Sequence, residues 1–357
     1  MGKEIELDLH FTNLCNLKCG HCLYESGEDI GDVPVEVLNR MVTELGAMGA
    51  NTVHIGGGEP LTRYKDLKSF VHAASNAGVK PRLITNGLML SEDKLLELMD
   101  HGLEELLVSL DGTEVDHNKF RKNDRSYQKA VNAIELGLKH DIFTRINSVL
   151  TSENKDDLQE LLKYTSQLPV AVHAVLCLSP MGRGQEIRHL IPDFSYVGQF
   201  INEVRELAET HGFPHTKVQI QKGYLEPEVD KAHSHCRIDR KNNALIYSTG
   251  QVFPCVRFSQ YGTPNHTAFS LGNIMDESIT DIWSATNERW NLFNRDLDRD
   301  EDCPDQKCQG GCRGLMLAET GNINACDYRC DAGKSGKLPS CIRKYVVVSD
   351  PQKDKNG

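Results

Sequence analysis

An α/β fold, with a partial (β/α)6 barrel of the TIM type followed by a small cysteine-rich segment, is predicted by three observations. Short β-rich runs alternate six times with amphipathic helical runs between residues 5 and 211. After Lys217 this rhythm gives way to Gly, Pro, Cys and polar residues with few long apolar runs. The 12 cysteines of the 357-residue chain avoid the middle: three fall between 15 and 22, one at 177 and eight between 236 and 341. A repeated strand–helix beat implies parallel strands joined by right-handed crossovers, and such barrels work at the C-terminal ends of their strands.

Residues 5–11 read as the first strand, and Pro34, tolerated in a first helical turn, opens a helix running to about residue 48. Further strands fall at 52–55, 81–85, 106–110, 143–150 and 171–178, with helices near 66–77, 91–101, 126–140 and 155–168. Ser91 supplies an N-cap and Gly102 a C-terminal stop. A longer helix at 196–211, stopped by Gly212, closes this part. The expected organisation is a barrel over 1–215, a second domain over 216–348 and a disordered tail over 349–357. The second domain cannot bury much apolar core, so its fold is expected to depend on bound metal.

Composition narrows the function. The chain has 51 acidic against 40 basic residues, a net charge of -11, which suits a phosphate backbone poorly and argues against a nucleic-acid partner. No apolar run is long enough for a membrane span and the N-terminus lacks the layout of a signal peptide, so a cytoplasmic location is expected. In a reducing compartment, clustered thiols point to metal or catalysis rather than to disulfides.

Cys15, Cys19 and Cys22 lie within eight residues directly after the first strand. Structural zinc takes four ligands, whereas a four-iron cube held by three thiolates keeps one iron open for a small molecule. His21 is a fourth-ligand alternative, awkwardly placed between two of the cysteines. Gly56-Gly57-Gly58-Glu59-Pro60 ends the second strand, where glycines allow close approach of a ligand and a carboxylate can accept from an ammonium; an ordinary turn is the plainer reading.

Cys15-x3-Cys19-x2-Cys22 and the glycine run after it resemble the radical S-adenosylmethionine (SAM) superfamily, from residue 5 to 341. The resemblance implies that the three cysteines hold a [4Fe-4S] cluster with SAM on its unique iron, and that Gly56, Gly57, Gly58 and Glu59 meet the methionine amino group. Asn86, in Thr85-Asn86-Gly87, and Asp111, in Ser109-Leu110-Asp111-Gly112, belong to motifs at the same face. Ser109 and Arg121 stand where family members contact the ribose and carboxylate of SAM, and a guanidinium is a natural fork for a carboxylate. Tyr24 matches an aromatic position near the adenine. Arg145 and Asn147 share one face of the fifth strand, and a polar pair inside a barrel calls for a ligand or partner.

Cys236, Gly250 and Cys255 match the opening of the SPASM extension, which carries auxiliary clusters in this superfamily. Cys303, Cys308 and Cys312 resemble its centre with one cysteine missing, and Cys330 its end; Cys326 and Cys341 are additional. The family's interleaving assigns Cys236, Cys255 and Cys312 to one auxiliary [4Fe-4S] cluster and Cys303, Cys308 and Cys330 to a second, with Cys326 and Cys341 as completing ligands. A single auxiliary cluster, or zinc, is the alternative, and His233 and His235 flank Cys236. Cys177, near the end of the sixth strand, is either a small core residue or a hydrogen-atom donor at the barrel mouth.

The resemblance implies an oxidoreductase that cleaves SAM reductively and abstracts hydrogen from a substrate, first a peptide or protein side chain. Tetrapyrrole or other small-molecule biosynthesis is the second reading, and a non-catalytic iron-sulfur electron carrier the third. A flavodoxin or ferredoxin is the expected electron donor. Because the motif begins at Cys15, without room for a leader-binding domain before it, a separate peptide-recognition protein is a possible partner. Val256 stands where sulfatase maturases carry an acidic base, which disfavours that assignment.

Overall fold

The computed structural model describes residues 5–213, 215–221, 238, 242–258, 269–284, 286–293, 312–325 and 345–348. The alternation is realised in chain order as β1 (Ile5–Thr12), α1 (Val35–Ala47), β2 (Ala50–Gly57), α2 (Tyr64–Asn76), β3 (Lys80–Thr85), α3 (Glu92–Asp100) and β4 (Glu105–Ser109). It continues with α4 (Glu114–Arg121), α5 (Ser126–Lys139), β5 (Phe143–Leu150), α6 (Lys155–Ser166), β6 (Val172–Cys177), α7 (Phe194–His211) and β7 (Lys217–Gln221). Beyond these lie β8 (Asn243–Ile246), β9 (Gln251–Phe253), β10 (Gly272–Asn273), α8 (Ile279–Ser284), α9 (Thr286–Arg289), α10 (Arg313–Thr320) and β11 (Tyr345–Val348).

All strands join one sheet in the order β10-β9-β8-β1-β2-β3-β4-β5-β6-β7-β11. From β1 to β7 each strand runs parallel to the next, as crossover helices require. The order is open at β10 and β11 among the described residues, so the barrel is partial. Strand pleating sends alternate side chains to opposite faces. On β1, Leu7, Leu9 and Phe11 are buried on the helix side. Helix α1 answers with Leu38, Met41, Val42 and Leu45, and α2 with Leu67, Phe70, Val71 and Ala74, each set at the three-and-four spacing of one helical face. Burying one such Leu, Val, Met or Phe side chain contributes roughly 1.5–3 kcal/mol.

The expected punctuation of α3 is present: Ser91 Oγ accepts from the amide of Lys94 at 3.4 Å, and Gly102 follows with φ of +101°. Helix α7 begins at Phe194, two residues before the expected start, because Asp193 caps it by accepting from the Tyr196 amide at 2.7 Å.

Three elements depart from expectation. Helix α4 has no apolar stripe; only His117 and Arg121 of its eight residues are buried, so hydrophobic periodicity does not reveal it. The segment Lys-Val-Gln-Ile-Gln at 217–221 is a seventh parallel strand whose Val218 and Ile220 are fully buried. Strand β8, from beyond the expected boundary at 215, pairs parallel with β1, so hydrogen bonding runs without a break from the barrel into the cysteine-rich part. No helix among the described residues is long and apolar enough to cross a membrane. The tail at 349–357 lies outside the described residues.

Candidate active site

A cavity of about 430 Å³ opens at the C-terminal ends of the strands. Cys15, Cys19 and Cys22, in the loop after β1, line it together with Gly56, Gly57 and Gly58 from the end of β2. Asn86, Ser109 and Cys177, at or just past the ends of β3, β4 and β6, complete the ring with Arg121. Residues distant in sequence converge here because every parallel strand delivers its last residue to the same rim.

The glycines bring β2 against the cysteine loop. A side chain on Gly58 would collide with the carbonyl oxygen of Leu14, and Gly57, at φ of +110°, lies against the His10 ring. The contact is stitched by Gly58 N–H to Thr12 O and Glu59 N–H to Leu14 O, both 2.8 Å.

Glu59 is fully buried and does not line the cavity. Its Oε1 accepts from Thr85 Oγ1 at 2.9 Å and Leu61 N at 3.2 Å, while Oε2 accepts from Asn86 N at 2.8 Å. The carboxylate thus ties the end of β2 to the end of β3, and burial raises its pKa. Asn86 reaches the cysteine loop by donating to Asn16 Oδ1 at 2.8 Å.

Arg121 ends α4 and is a buried cation, 7% exposed. Its Nε and Nη2 donate to Asp111 Oδ2 at 2.8 and 2.7 Å, and Nη1 lies 4.0 Å from Cys19 Sγ. Asp111 also accepts from Val149 N at 2.9 Å and sits behind the cavity wall. Burial pushes the Asp111 carboxyl up, but Arg121, with His21 and His117 beside it, outweighs this and holds it down at about 2. His21 stacks on Phe120 at 4.3 Å with Nε2 3.9 Å from Asp111 Oδ2; burial lowers its pKa to about 4, so the ring is neutral at pH 7. Tyr24 lines the cavity and packs on His10 at 4.2 Å, and His10 stacks on Tyr247 at 4.4 Å.

Arg145 and Asn147 share the interior face of β5 with Val149, yet only Val149 reaches the cavity. Arg145 lies four residues back along the strand, roughly 13 Å at the usual rise. Its Nη1 is 4.0 Å from Glu105 Oε2, and Arg82 Nε is 2.9 Å from Glu105 Oε1, a charged cluster at the opposite end of the barrel. Arg145 thus has Glu105 as a protein partner, and neither it nor Asn147 lines this cavity.

The donor set fits an iron-sulfur cluster. Burial pushes the Cys15 thiol up to about 12 and raises that of Cys19, so water alone does not ionise them at neutral pH, whereas a coordinating metal deprotonates its thiol outright. Among the described residues no three His, Cys, Asp or Glu side chains gather round a single ion. The three thiols line one cavity, with the Arg121 guanidinium beside Cys19 to offset thiolate charge.

Of the second cysteine group, Cys255 and Cys312 are described. The turn Val256–Phe258 after Cys255 packs on α10, which begins directly after Cys312. A side chain on Gly314 would lie 2.6 Å from Arg257 Cβ, so a glycine permits this approach. Val256 and Arg257 also line the main cavity, which joins the second cysteine group to the first. Cys236, Cys303, Cys308, Cys326, Cys330 and Cys341, with His233 and His235, lie outside the described residues. The sequence reading passed over Arg183, a cavity residue just past β6; the signal was its position within Gly182-Arg183-Gly184 at a strand's C-terminal end.

Comparison with known proteins follows the same division of the chain. A model described as the radical SAM superfamily matches residues 9–165, and one described as an iron-sulfur cluster-binding domain, SPASM, matches 236–313. An AdoMet-dependent heme synthase of Methanosarcina barkeri is 25% identical over 86% of this chain and 90% of its own. The antilisterial bacteriocin subtilosin biosynthesis protein AlbA of Bacillus subtilis is 26% identical over 92% and 72%. Among solved structures, Streptococcus suis SuiB bound to S-adenosylmethionine has the same fold, with TM-score 0.74 and 19% identity over 92% of this chain and 77% of that one.

Proposed function

This chain belongs to the radical SAM superfamily and carries its SPASM iron-sulfur extension, and from that premise we propose an oxidoreductase that modifies a peptide or protein side chain. Its cofactors are S-adenosylmethionine and [4Fe-4S] clusters. Bound at the cysteine loop, the cluster and SAM together supply one-electron cleavage of the sulfonium, giving methionine and a 5'-deoxyadenosyl radical that removes a hydrogen atom from substrate.

The observation that carries this reading is the convergence of Cys15, Cys19, Cys22, the glycine run and Arg121 on one cavity at the strands' C-terminal ends. The three thiolates hold the cluster. Gly56, Gly57 and Gly58 would leave room for the methionine end, and Ser109 and Tyr24 would offer a hydroxyl and an aromatic face to the ribose and adenine. Arg121, oriented by Asp111, presents Nη1 toward the cluster side. Surrounding walls of Leu17, Ile84, Val149 and Leu176 exclude water from a reactive radical. Cys177, which lines the same cavity, would return a hydrogen atom to a substrate radical. A flavodoxin or ferredoxin delivers the electron, and a separate recognition protein presents the peptide. Cys255 and Cys312, with Cys236, hold one auxiliary cluster; Cys303, Cys308 and Cys330, completed from Cys326 and Cys341, hold a second.

A bacteriocin biosynthesis protein among the relatives supports the peptide reading. The second reading, oxidation of a tetrapyrrole or other small molecule, is favoured by the heme synthase, which matches over 86% of this chain. A pure electron carrier needs no SAM pocket. Reconstituted, reduced protein given SAM and candidate precursor peptides should release 5'-deoxyadenosine and change the peptide's mass. Turnover of a tetrapyrrole and of no peptide selects the second reading.

A further inference from the structure

One residue after β6 takes hold of several carbonyls of the loop that carries the three cysteines. Strand β6 ends at Cys177, and after a short turn the chain enters the 3-10 segment Gly182–Gln185. Gly182 sits at φ of +53° with its Cα against the carbonyl oxygens of Cys22 and Leu23, an approach open only to glycine. The adjacent Arg183 then takes three carbonyls of the cysteine loop. Its backbone N–H donates to Cys22 O at 3.0 Å, its Nε to Cys19 O at 2.8 Å and its Nη1 to Ser26 O at 3.1 Å. The planar guanidinium spans carbonyls seven residues apart, which a single ammonium cannot reproduce.

Charge adds a second role. Cys19 stands between two guanidiniums, Arg121 at its sulfur and Arg183 at its carbonyl. Arg121 is matched by the Asp111 carboxylate. Among the described residues no carboxylate forms an ion pair with Arg183, whose side chain donates to neutral carbonyls, so its positive charge acts on the cluster side without a local counter-charge. Cluster potentials follow net charge and hydrogen bonding nearby, and a cation favours the more negative, reduced state.

We propose that Arg183 is a positioning residue for the radical-generating cluster, holding the cysteine loop closed with its fork and easing reduction of the cluster with its charge. This rests on the cluster-binding reading above. It goes beyond the superfamily motifs, because it assigns the work to a residue on the sixth strand's loop.

The test uses the full chain, reconstituted with iron and sulfide, as wild type, R183K and R183Q. Folding is checked by circular dichroism before loading. The loop cluster is identified as the electron paramagnetic resonance signal that changes on adding SAM. Both variants should release iron from that cluster to a ferrous chelator about tenfold faster than wild type, since neither side chain can bridge Cys19 O and Ser26 O. Only R183Q should be harder to reduce, with a reduced-to-oxidised ratio at fixed potential about tenfold lower, 59 mV for one electron. Lysine should restore the potential and not the iron retention. Iron retention equal to wild type in both variants overturns the positioning role, and equal potential shifts in R183K and R183Q overturn the role of charge. A wild-type chain that forms no SAM-sensitive cluster overturns the functional reading itself, which separates that failure from failure of this inference.

Discussion

Replacing Asp111 by Asn tests how the cavity's charge is balanced. Asp111 is 1% exposed and Arg121 7%, and they form a two-point ion pair at 2.7 and 2.8 Å. The amide keeps the shape and removes the charge, leaving a buried guanidinium without its carboxylate. Breaking a buried pair in this way costs about 3–5 kcal/mol. The titration gives an independent scale. The Asp111 carboxyl falls from its ordinary 3.8 to about 2 in the folded chain, and at about 1.4 kcal/mol per pH unit this is about 2–3 kcal/mol. Because the folded pKa is depressed, that contribution is complete above pH 3.8 and is lost as pH falls through about 2. Urea unfolding of the cluster-free chain, followed by far-ultraviolet circular dichroism, should therefore show D111N less stable by at least 2 kcal/mol at pH 7. The gap should narrow steadily below pH 3.8. A difference under 1 kcal/mol at pH 7, or one that does not close in acid, refutes the argument that this pair carries the cavity's charge balance.

Alanine at Cys15, Cys19 and Cys22 together should abolish 5'-deoxyadenosine release and remove about four irons per chain from a wild-type content of about 12 for three cubes; iron analysis of both proteins checks this. Gly58→Ala should prevent the cysteine loop from seating, because its methyl meets the Leu14 carbonyl oxygen; loss of cluster uptake with retained helix content is the expected result. Cys177→Ala should leave SAM cleavage intact while blocking the step that quenches a substrate radical, read as 5'-deoxyadenosine formed without the matching product. Normal product yield from that variant would return Cys177 to a packing role.

The barrel was legible in the sequence where apolar periodicity and capping agree. Strand β5 was expected at 143–150 and occupies those residues, and α3 carries both of its expected end signals. The cysteine loop and glycine run were legible because their spacing has few other uses. Helix α4 was not, since its two apolar residues, Val115 and Phe120, make no stripe and the side chains it buries are His117 and Arg121, which no periodicity reports. Residue type alone does not report depth along a strand or the protein partners of a side chain. Arg145 is polar and inward as expected, and it lies beside Glu105 at the end of β5 away from the cavity. Glu59 has the chemistry for an ammonium, yet three donors from β3 and its own turn already claim it. The Gly-Arg-Gly setting of Arg183 marks a strand end but not its partners, which are backbone carbonyls more than 150 residues earlier, from Cys19 to Ser26.

The central claim is that the cavity at the strand ends generates a radical from SAM. Anaerobically reconstituted, dithionite-reduced protein mixed with SAM should release methionine and 5'-deoxyadenosine in equal amounts, and the triple cysteine variant should release neither. A wild-type preparation that holds its loop cluster in the reduced state, binds SAM and forms no 5'-deoxyadenosine, with or without candidate substrate, would contradict it.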